Sequence, residues 1–165
     1  MLGIACCGAW LLSLCRNYEV FLLSTNTIRI ISKIHGHIYR FSRGRIGKRF
    51  GKLGFLLLTT TGRKSGKSRS VPLPVIPVGP NYIFVASFGG NPSNPDWLLN
   101  IRLNPEVSIR IGSVAIRSKA TIIETTEHGY EELWEKAIAI YKGYDDYKKA
   151  TSRQIPIVVV TPYNF

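Results

Sequence analysis

The sequence predicts an antiparallel α+β fold, mainly β, whose strands close into a complete or split barrel with inserted helices. Three observations lead there. From residue 55 onward, short apolar runs rich in β-formers are separated by Gly, Pro and Asn. Helix-period segments fall among them without the strand–helix–strand repetition of a parallel sheet. The 165 residues, 45% hydrophobic and 19% charged, suit one folded domain and exclude a disordered or collagen-like chain. A chain of this length buries roughly 70% of its unfolded surface, so it needs no disulfide staples. Its three cysteines, Cys6, Cys7 and Cys15, all precede residue 16, which leaves the rest without a disulfide framework or a Cys-based zinc site.

Residues 1–15, MLGIACCGAWLLSLC, are almost wholly apolar but fall short of the about 20 residues that span a bilayer. No basic stretch precedes them and no small-residue cleavage site follows, which speaks against a secretory signal. A membrane-surface anchor, a mis-called start codon and a helix docked on the domain all stay open. Residues 26–42, NTIRIISKIHGHIYRFS, predict a helix, because Ile28, Ile31, Ile34, Ile38 and Phe41 recur every three or four positions. Arg29, Lys33, Arg40 and Arg43 fall largely off that stripe. Such a helix lies in an anionic membrane interface or packs its stripe on its own domain. His35 and His37 lack a third ligand nearby and read as structural. Residues 1–38 are taken as an N-terminal segment and 39–165 as the folded domain.

Within the domain, FLLLTTT (55–61) predicts a strand and GRKSGKSR (62–69) a turn built on Gly62 and Gly66. SVPLPVIPV (70–78) is extended, and its three prolines argue for an edge or a barrel rim. Gly79, Pro80 and Asn81 turn the chain into YIFVAS (82–87). FGGNPSNP (88–95) is a loop, and DWLLNIRL (96–103) a short helix with Asp96 at its N-terminal end. VSIRIG (107–112) and IRSKATII (116–123) alternate and form a hairpin through Gly112 and Ser113. EHGYEELWEKAIAI (127–140) predicts a helix burying Leu133, Trp134, Ala137 and Ile138, with Glu131, Glu132 and Glu135 solvated. YKGYDDYKKA (141–150) reads as a loop and a second helical turn, and IPIVVV (155–160) as a last buried strand.

The charge is unevenly spread. The chain carries 22 Lys+Arg against 10 Asp+Glu, yet no acidic residue stands between Glu19 and Asp96. That stretch holds twelve cations, from Arg29 to Arg69, and the remainder holds ten charges of each sign. The expected partner is a polyanion: nucleic acid, an acidic membrane surface or a phosphorylated cofactor. A merely soluble basic surface is the plainer alternative.

Three constellations can carry chemistry. Arg63, Lys64, Lys67 and Arg69, interleaved with Gly62, Ser65, Gly66 and Ser68, are the parts of a phosphate or carboxylate site, though not of a Walker loop. A solvated basic hairpin competes with that reading. The Gly89–Gly90 loop ends a strand and opens a helix, which puts backbone N–H groups beside a ligand flanked by Phe88 and Trp97; a long connector with Trp97 in the core is the alternative. Tyr141, Tyr144 and Tyr147, spaced by three, put phenols on one side of a helical turn, where they bond or protonate an oxygen, or else form a packing stripe. No nucleophile elbow, no Cys/His pair and no metal-spaced carboxylates occur in the domain, so its chemistry points to a cofactor.

The blocks LLLTTTGRKSGKSRSVPL, VASFGGNPSNPDWLLNIRLNPEV, YKGYDDY and IPIVVV, in this order and spacing, resemble the deazaflavin-dependent nitroreductase family. Its members reduce quinones or nitro compounds with reduced coenzyme F420. The resemblance runs from about Tyr39 to Thr161. It implies a split β-barrel of the flavin-reductase (FMN-binding) type. It implies that Arg63, Lys64, Ser65 and Arg69 hold the coenzyme's phosphate and acidic tail, with Ser70, Val71, Pro72, Leu73 and Pro74 lining the same groove. Val85, Ala86, Ser87 and Phe88, with Asp96, Trp97, Leu98, Leu99 and Asn100, would border the deazaflavin ring. Tyr144 would touch cofactor or substrate, and Tyr141, Tyr147 and Ser87 would line the substrate pocket. Where the family usually has Lys after Ala-Ser, this chain has Phe88.

The resulting expectation is an oxidoreductase that passes hydride from the reduced deazaflavin to a quinone, nitro or other electron-poor acceptor, with no metal. An FMN-dependent split barrel and a non-enzymatic cofactor-, membrane- or nucleic-acid-binding module are the rivals. The exposed aromatic and basic strand signature of RNA-binding folds is missing, so no nucleic acid is expected. The expected location is cytoplasmic, with the inner face of the cell membrane as a peripheral alternative. The sequence leaves the oligomeric state open.

Overall fold

The computed structural model describes residues 30, 34, 36–39, 41–42, 49–50 and 53–163. Seven antiparallel strands form one sheet: β1 (Arg49–Phe50), β2 (Leu53–Thr61), β3 (Ser68–Val78), β4 (Asn81–Val85), β5 (Glu106–Ile111), β6 (Val114–Ile123) and β7 (Ile157–Pro162). The order is β1-β2-β3-β4-β7-β6-β5, and β2 also pairs with β5. That last pairing, Leu57 opposite Arg110 through Thr59 opposite Ser108, closes six strands into a barrel and removes their free edges.

The interior follows from strict alternation. Leu58 pairs with Val71 on one side and Ile109 on the other, Ile109 with Ile116, Ala120 with Val160, and Phe84 with Val158. All eight residues belong to, or pack against, one apolar cluster with Leu56 and Val107. Helix α1 (Asp96–Leu103) closes one end, adding Trp97, Leu98 and Ile101 to that cluster. The opposite faces of β4 and β7 carry Ile83, Val85 and Ile157, which pack under α2 (Tyr130–Ile140) and α3 (Gly143–Lys149) through Tyr130, Trp134, Ala137 and Tyr144.

The prolines of β3 behave as their missing N–H requires. Pro72 and Pro74 stand in the part of the strand that pairs with β2 alone, whereas β4 joins only at Ile76–Val78. The 112–113 hairpin, the 96–103 helix and the 141–150 helical turn fall where the sequence places them. Several boundaries move: β3 starts at Ser68 rather than 70, β6 at Val114 rather than 116, and β7 runs Ile157–Pro162 rather than 155–160. The strand after Asn81 stops at Val85, before Ala86 and Ser87. The helix expected from 127 starts at Tyr130, because Gly129 at φ 88 breaks the backbone ahead of it.

Residues 36–39 are helical and lie against the barrel. The Tyr39 hydroxyl donates to the Arg110 carbonyl (3.4 Å) and accepts from the Gly112 N–H (3.2 Å), and Tyr39 itself is buried. Of the predicted apolar stripe, the described members Ile34, Ile38 and Phe41 are exposed, Phe41 at 94%. The segment 1–29 and His35 lie outside the described residues.

Candidate active site

The cationic turn between β2 and β3 is closed by its own backbone. The Gly62 N–H donates to the Lys67 carbonyl (2.9 Å) and the Gly66 N–H to the Gly62 carbonyl (2.8 Å), with Gly66 at φ +65, a conformation that glycine adopts at little steric cost. Lys64, Ser65, Lys67 and Arg69 are exposed. An Arg69 Nη reaches the Ser65 hydroxyl at 3.5 Å, and the Ser70 hydroxyl pairs with that of Thr59 at 2.8 Å.

Arg63 differs from its neighbours. Its Nη2 donates to Asp96 Oδ1 (3.0 Å), its Nη1 to Asn100 Oδ1 (3.2 Å), and its backbone N–H to that same oxygen (3.1 Å). Asn100, 4% exposed, completes the tie by donating its Nδ2–H to the Thr60 hydroxyl (3.0 Å). Arg63 therefore fastens the turn to the first turn of α1. On that helix Asp96 is exposed and Leu99 half-buried, while Trp97 and Leu98 enter the barrel core. Of the adjoining strand residues, Val71 and Leu73 pack against that core and Pro72 is buried.

The loop after β4 is the second part. Ser87 is 7% exposed, and Phe88, Gly89 and Gly90 follow at φ 49, 64 and 75. Phe88 is the only non-glycine at positive φ among the described residues. For a residue with a Cβ that conformation costs roughly 1–2 kcal/mol, and such strain concentrates at functional sites. A side chain at Gly90 would meet Ala150 Cβ at 3.0 Å and the Tyr147 carbonyl at 3.3 Å, so the turn presses against α3. The N–H groups of Ser87, Phe88 and Gly89 find no acceptor among the described residues.

Arg153 holds this loop. Its Nε donates to the Asn91 carbonyl (2.8 Å), its Nη1 to Asn94 Oδ1 (3.2 Å) and the Gln154 carbonyl (3.1 Å), and its Nη2 to the carbonyls of Ala86 (2.9 Å) and Ser87 (2.7 Å). Burial lowers its pKa from the ordinary guanidinium value. Sequence reasoning missed Arg153. Apart from the neighbouring Gln154, its acceptors lie 59–67 residues away in the chain, and a lone Arg ahead of a buried strand carries no local signal.

The three tyrosines do converge, though not on one helical turn, since Tyr141 is an extended cap (φ −144) ahead of α3. The hydroxyls of Tyr141 and Tyr147 meet at 3.2 Å, and the ring of Tyr144 stands edge-on to Tyr141 with centroids 5.2 Å apart. Tyr144 is 3% exposed and packs on Trp134 inside the outer core. Burial, then the neighbouring Tyr141, raises its phenol pKa well above the ordinary value. Asp145 accepts the Trp134 indole N–H at 3.0 Å, so its carboxylate is engaged on the α2 side.

The family model of F420H(2)-dependent quinone reductases matches residues 31–162 of the chain. An F420H(2)-dependent quinone reductase of Mycobacterium tuberculosis is 37% identical over 131 residues, which cover 78% of this chain and 88% of that protein. The solved structure of an F420-H2 dependent reductase, FDR-A, is 39% identical, covers 64% of this chain and 92% of its own, and superposes with a TM-score of 0.56. The heme storage protein HutZ of Vibrio cholerae shares the fold alone, at 14% identity and a TM-score of 0.53 over 79% of this chain and 90% of that one.

Proposed function

The chain belongs to the F420H(2)-dependent quinone reductase family, and from that membership we propose that it reduces a quinone with reduced coenzyme F420. Coenzyme F420, when bound, supplies the hydride. One observation extends the reading to particular atoms: the loop after β4 leaves three N–H groups without an acceptor among the described residues, and it presses against α3 at Tyr147.

The residues fit such a coenzyme, which carries a phosphate and an acidic tail. Lys64, Lys67 and Arg69 offer exposed donors and charge to both, and Ser65 a hydroxyl. Arg63 keeps the turn on α1 and contributes through position. The N–H groups of Ser87, Phe88 and Gly89 would donate hydrogen bonds to the bound coenzyme. Tyr141 and Tyr147 orient the acceptor: with Tyr147 donating to its neighbour, the Tyr141 O–H is left to give a hydrogen bond or a proton to the acceptor oxygen. Nitro compounds present the same kind of oxygen and are proposed as further acceptors.

Titration of the purified apo-protein with coenzyme F420 and with FMN, followed by reduced coenzyme plus menadione, tests this directly. Tight binding of F420 alone with reoxidation by the quinone is expected. Preference for FMN would keep the barrel and replace the chemistry. Replacing Tyr147 by Phe should lower turnover about tenfold with coenzyme affinity unchanged; unchanged turnover and acceptor affinity would remove its role.

A second reading concerns location. No helix among the described residues is long and apolar enough to cross a membrane. Ile30, Ile34, Ile38 and Phe41 are nevertheless exposed at 56%, 57%, 38% and 94%, on a segment whose sequence is otherwise basic. Exposed apolar spacing with cations suits peripheral docking on an anionic bilayer, where quinones dissolve. The full chain should cosediment with anionic but not zwitterionic vesicles, and Phe41→Glu should release it; equal binding to both vesicles would defeat the idea.

A further inference from the structure

We propose that Arg153 is a positioning residue of this active site: its guanidinium fixes the peptides that end β4 so that their N–H groups are held out to the bound coenzyme. The proposal rests on the coenzyme reading above. A half-buried cation ordinarily draws a carboxylate. Every acceptor of Arg153 is neutral: the carbonyls of Ala86, Ser87, Asn91 and Gln154 and the Asn94 side-chain amide. Two of these carbonyls belong to successive peptides, and the N–H groups of those same peptides are the ones on Ser87 and Phe88.

Three consequences follow from elementary geometry. No peptide among the described residues is cis, so each of these N–H groups points opposite to its carbonyl and away from the guanidinium. A cation pulling on the carbonyl polarises the peptide and strengthens the N–H as a donor. Bonds to Ser87 and Asn91 grip both ends of the turn, which keeps Phe88 in its strained conformation at φ 49. Fixed, polarised donors in a shielded site are what favour negative charge on a bound group. A bond count alone would make Arg153 a staple between the loop and β7. The direction of the freed N–H groups makes it part of the binding site.

The test uses the full chain with Arg153→Ala and Arg153→Lys. Hydrogen exchange on the coenzyme-free variants should speed up at Ala86, Gly90 and Asn91, whose N–H groups donate to the Pro156, Ser87 and Phe88 carbonyls, and remain protected in β2 and β6. The Kd for oxidised coenzyme F420, read by fluorescence, should rise about tenfold in Arg153→Ala, consistent with loss of an ordered donor pair. Guanidinium at tens of millimolar should restore it, whereas sodium chloride and urea should not. Phe88→Gly added to Arg153→Ala should recover part of the affinity, because glycine adopts the turn unaided. A folded Arg153→Ala protein with wild-type exchange at Ala86, Gly90 and Asn91, or with wild-type coenzyme affinity, would overturn the proposal, as would a loss that guanidinium fails to restore. If Arg153→Ala does not fold, Arg153→Lys decides: one ammonium cannot span these carbonyls, so unchanged exchange and affinity there also overturn it. Wild-type protein that fails to bind the coenzyme would sink the functional reading, while the exchange measurement still judges Arg153.

Discussion

The β2–β3 turn and the loop after β4 both depend on arginine, and they use it in opposite ways. In the turn, Lys64, Lys67 and Arg69 stand in solvent around a backbone that closes itself. Their charge costs little to hold and is available to a partner. In the loop, Arg153 turns its charge inward onto carbonyls. Arg63 lies in the first region but behaves as in the second, spent on Asp96 and Asn100. Charge density therefore marks where a ligand's anions go, while buried single cations set the shape of the surface they approach.

The largest effect that would test this contrast is at Asn100. Its amide serves the Thr60 hydroxyl, the Arg63 N–H and the Arg63 guanidinium at once. Asn100→Ala leaves Thr60, 2% exposed, and a backbone N–H unpartnered. About 3 kcal/mol of stability should go, a fall of roughly 10 °C in Tm, with coenzyme affinity falling because the turn loses its seat. A melt within a degree of wild type would mean that Arg63 is no more anchored than its neighbours. Next comes Gly143, whose added methyl would collide with the Tyr141 ring. Gly143→Ala should cost about 1–2 kcal/mol and raise KM for the quinone while leaving the coenzyme Kd unchanged. A change in coenzyme Kd alone would put the tyrosine pair on the wrong side of the site.

Smaller still are the exposed cations. Lys64→Ala or Lys67→Ala should each weaken coenzyme binding two- to fivefold, about 0.5–1 kcal/mol, with no change in Tm. The loss should vanish in high salt. Arg63→Ala should instead lower Tm at every salt concentration, which separates it from the cluster it belongs to in sequence.

The same contrast explains what the sequence disclosed. The apolar run at 55–61, the alternation at Val107, Ile109 and Ile111 and the Gly112–Ser113 turn are local signals, so the strands and their hairpin were legible. So was the cationic turn, because its four charges are neighbours in the chain. Closure of the barrel through β2 and β5 was expected only as an architecture, since no residue near Leu58 announces Ile109 as its partner. Arg153 was invisible for the same reason. The tyrosines were legible as a set, but their ranking was not: a spacing of three says nothing about which ring faces the core, and α2 covers Tyr144 with Trp134.

Tyr144 supplies the smallest effect at neutral pH and the finest division of the site. Burial and Tyr141 raise its pKa above the ordinary 10, and burial with Glu131 does the same for Tyr130. The folded protein thus keeps protons that the unfolded chain releases. The sign follows: stability is full below pH 10 and declines as pH rises through and beyond it, by up to about 1.4 kcal/mol per pH unit for each such phenol. Tyr144→Phe should flatten that alkaline decline. At pH 7 it should melt within a degree or two of wild type, because no described residue hydrogen-bonds the Tyr144 hydroxyl. Turnover at pH 7 distinguishes core from site. Near-wild-type kcat in Tyr144→Phe, beside the loss expected in Tyr147→Phe, leaves Tyr141 and Tyr147 as the phenols that meet the acceptor. A comparable loss in Tyr144→Phe would show that its hydroxyl reaches the acceptor from a ring packed against Trp134, and that the core and the site share this residue.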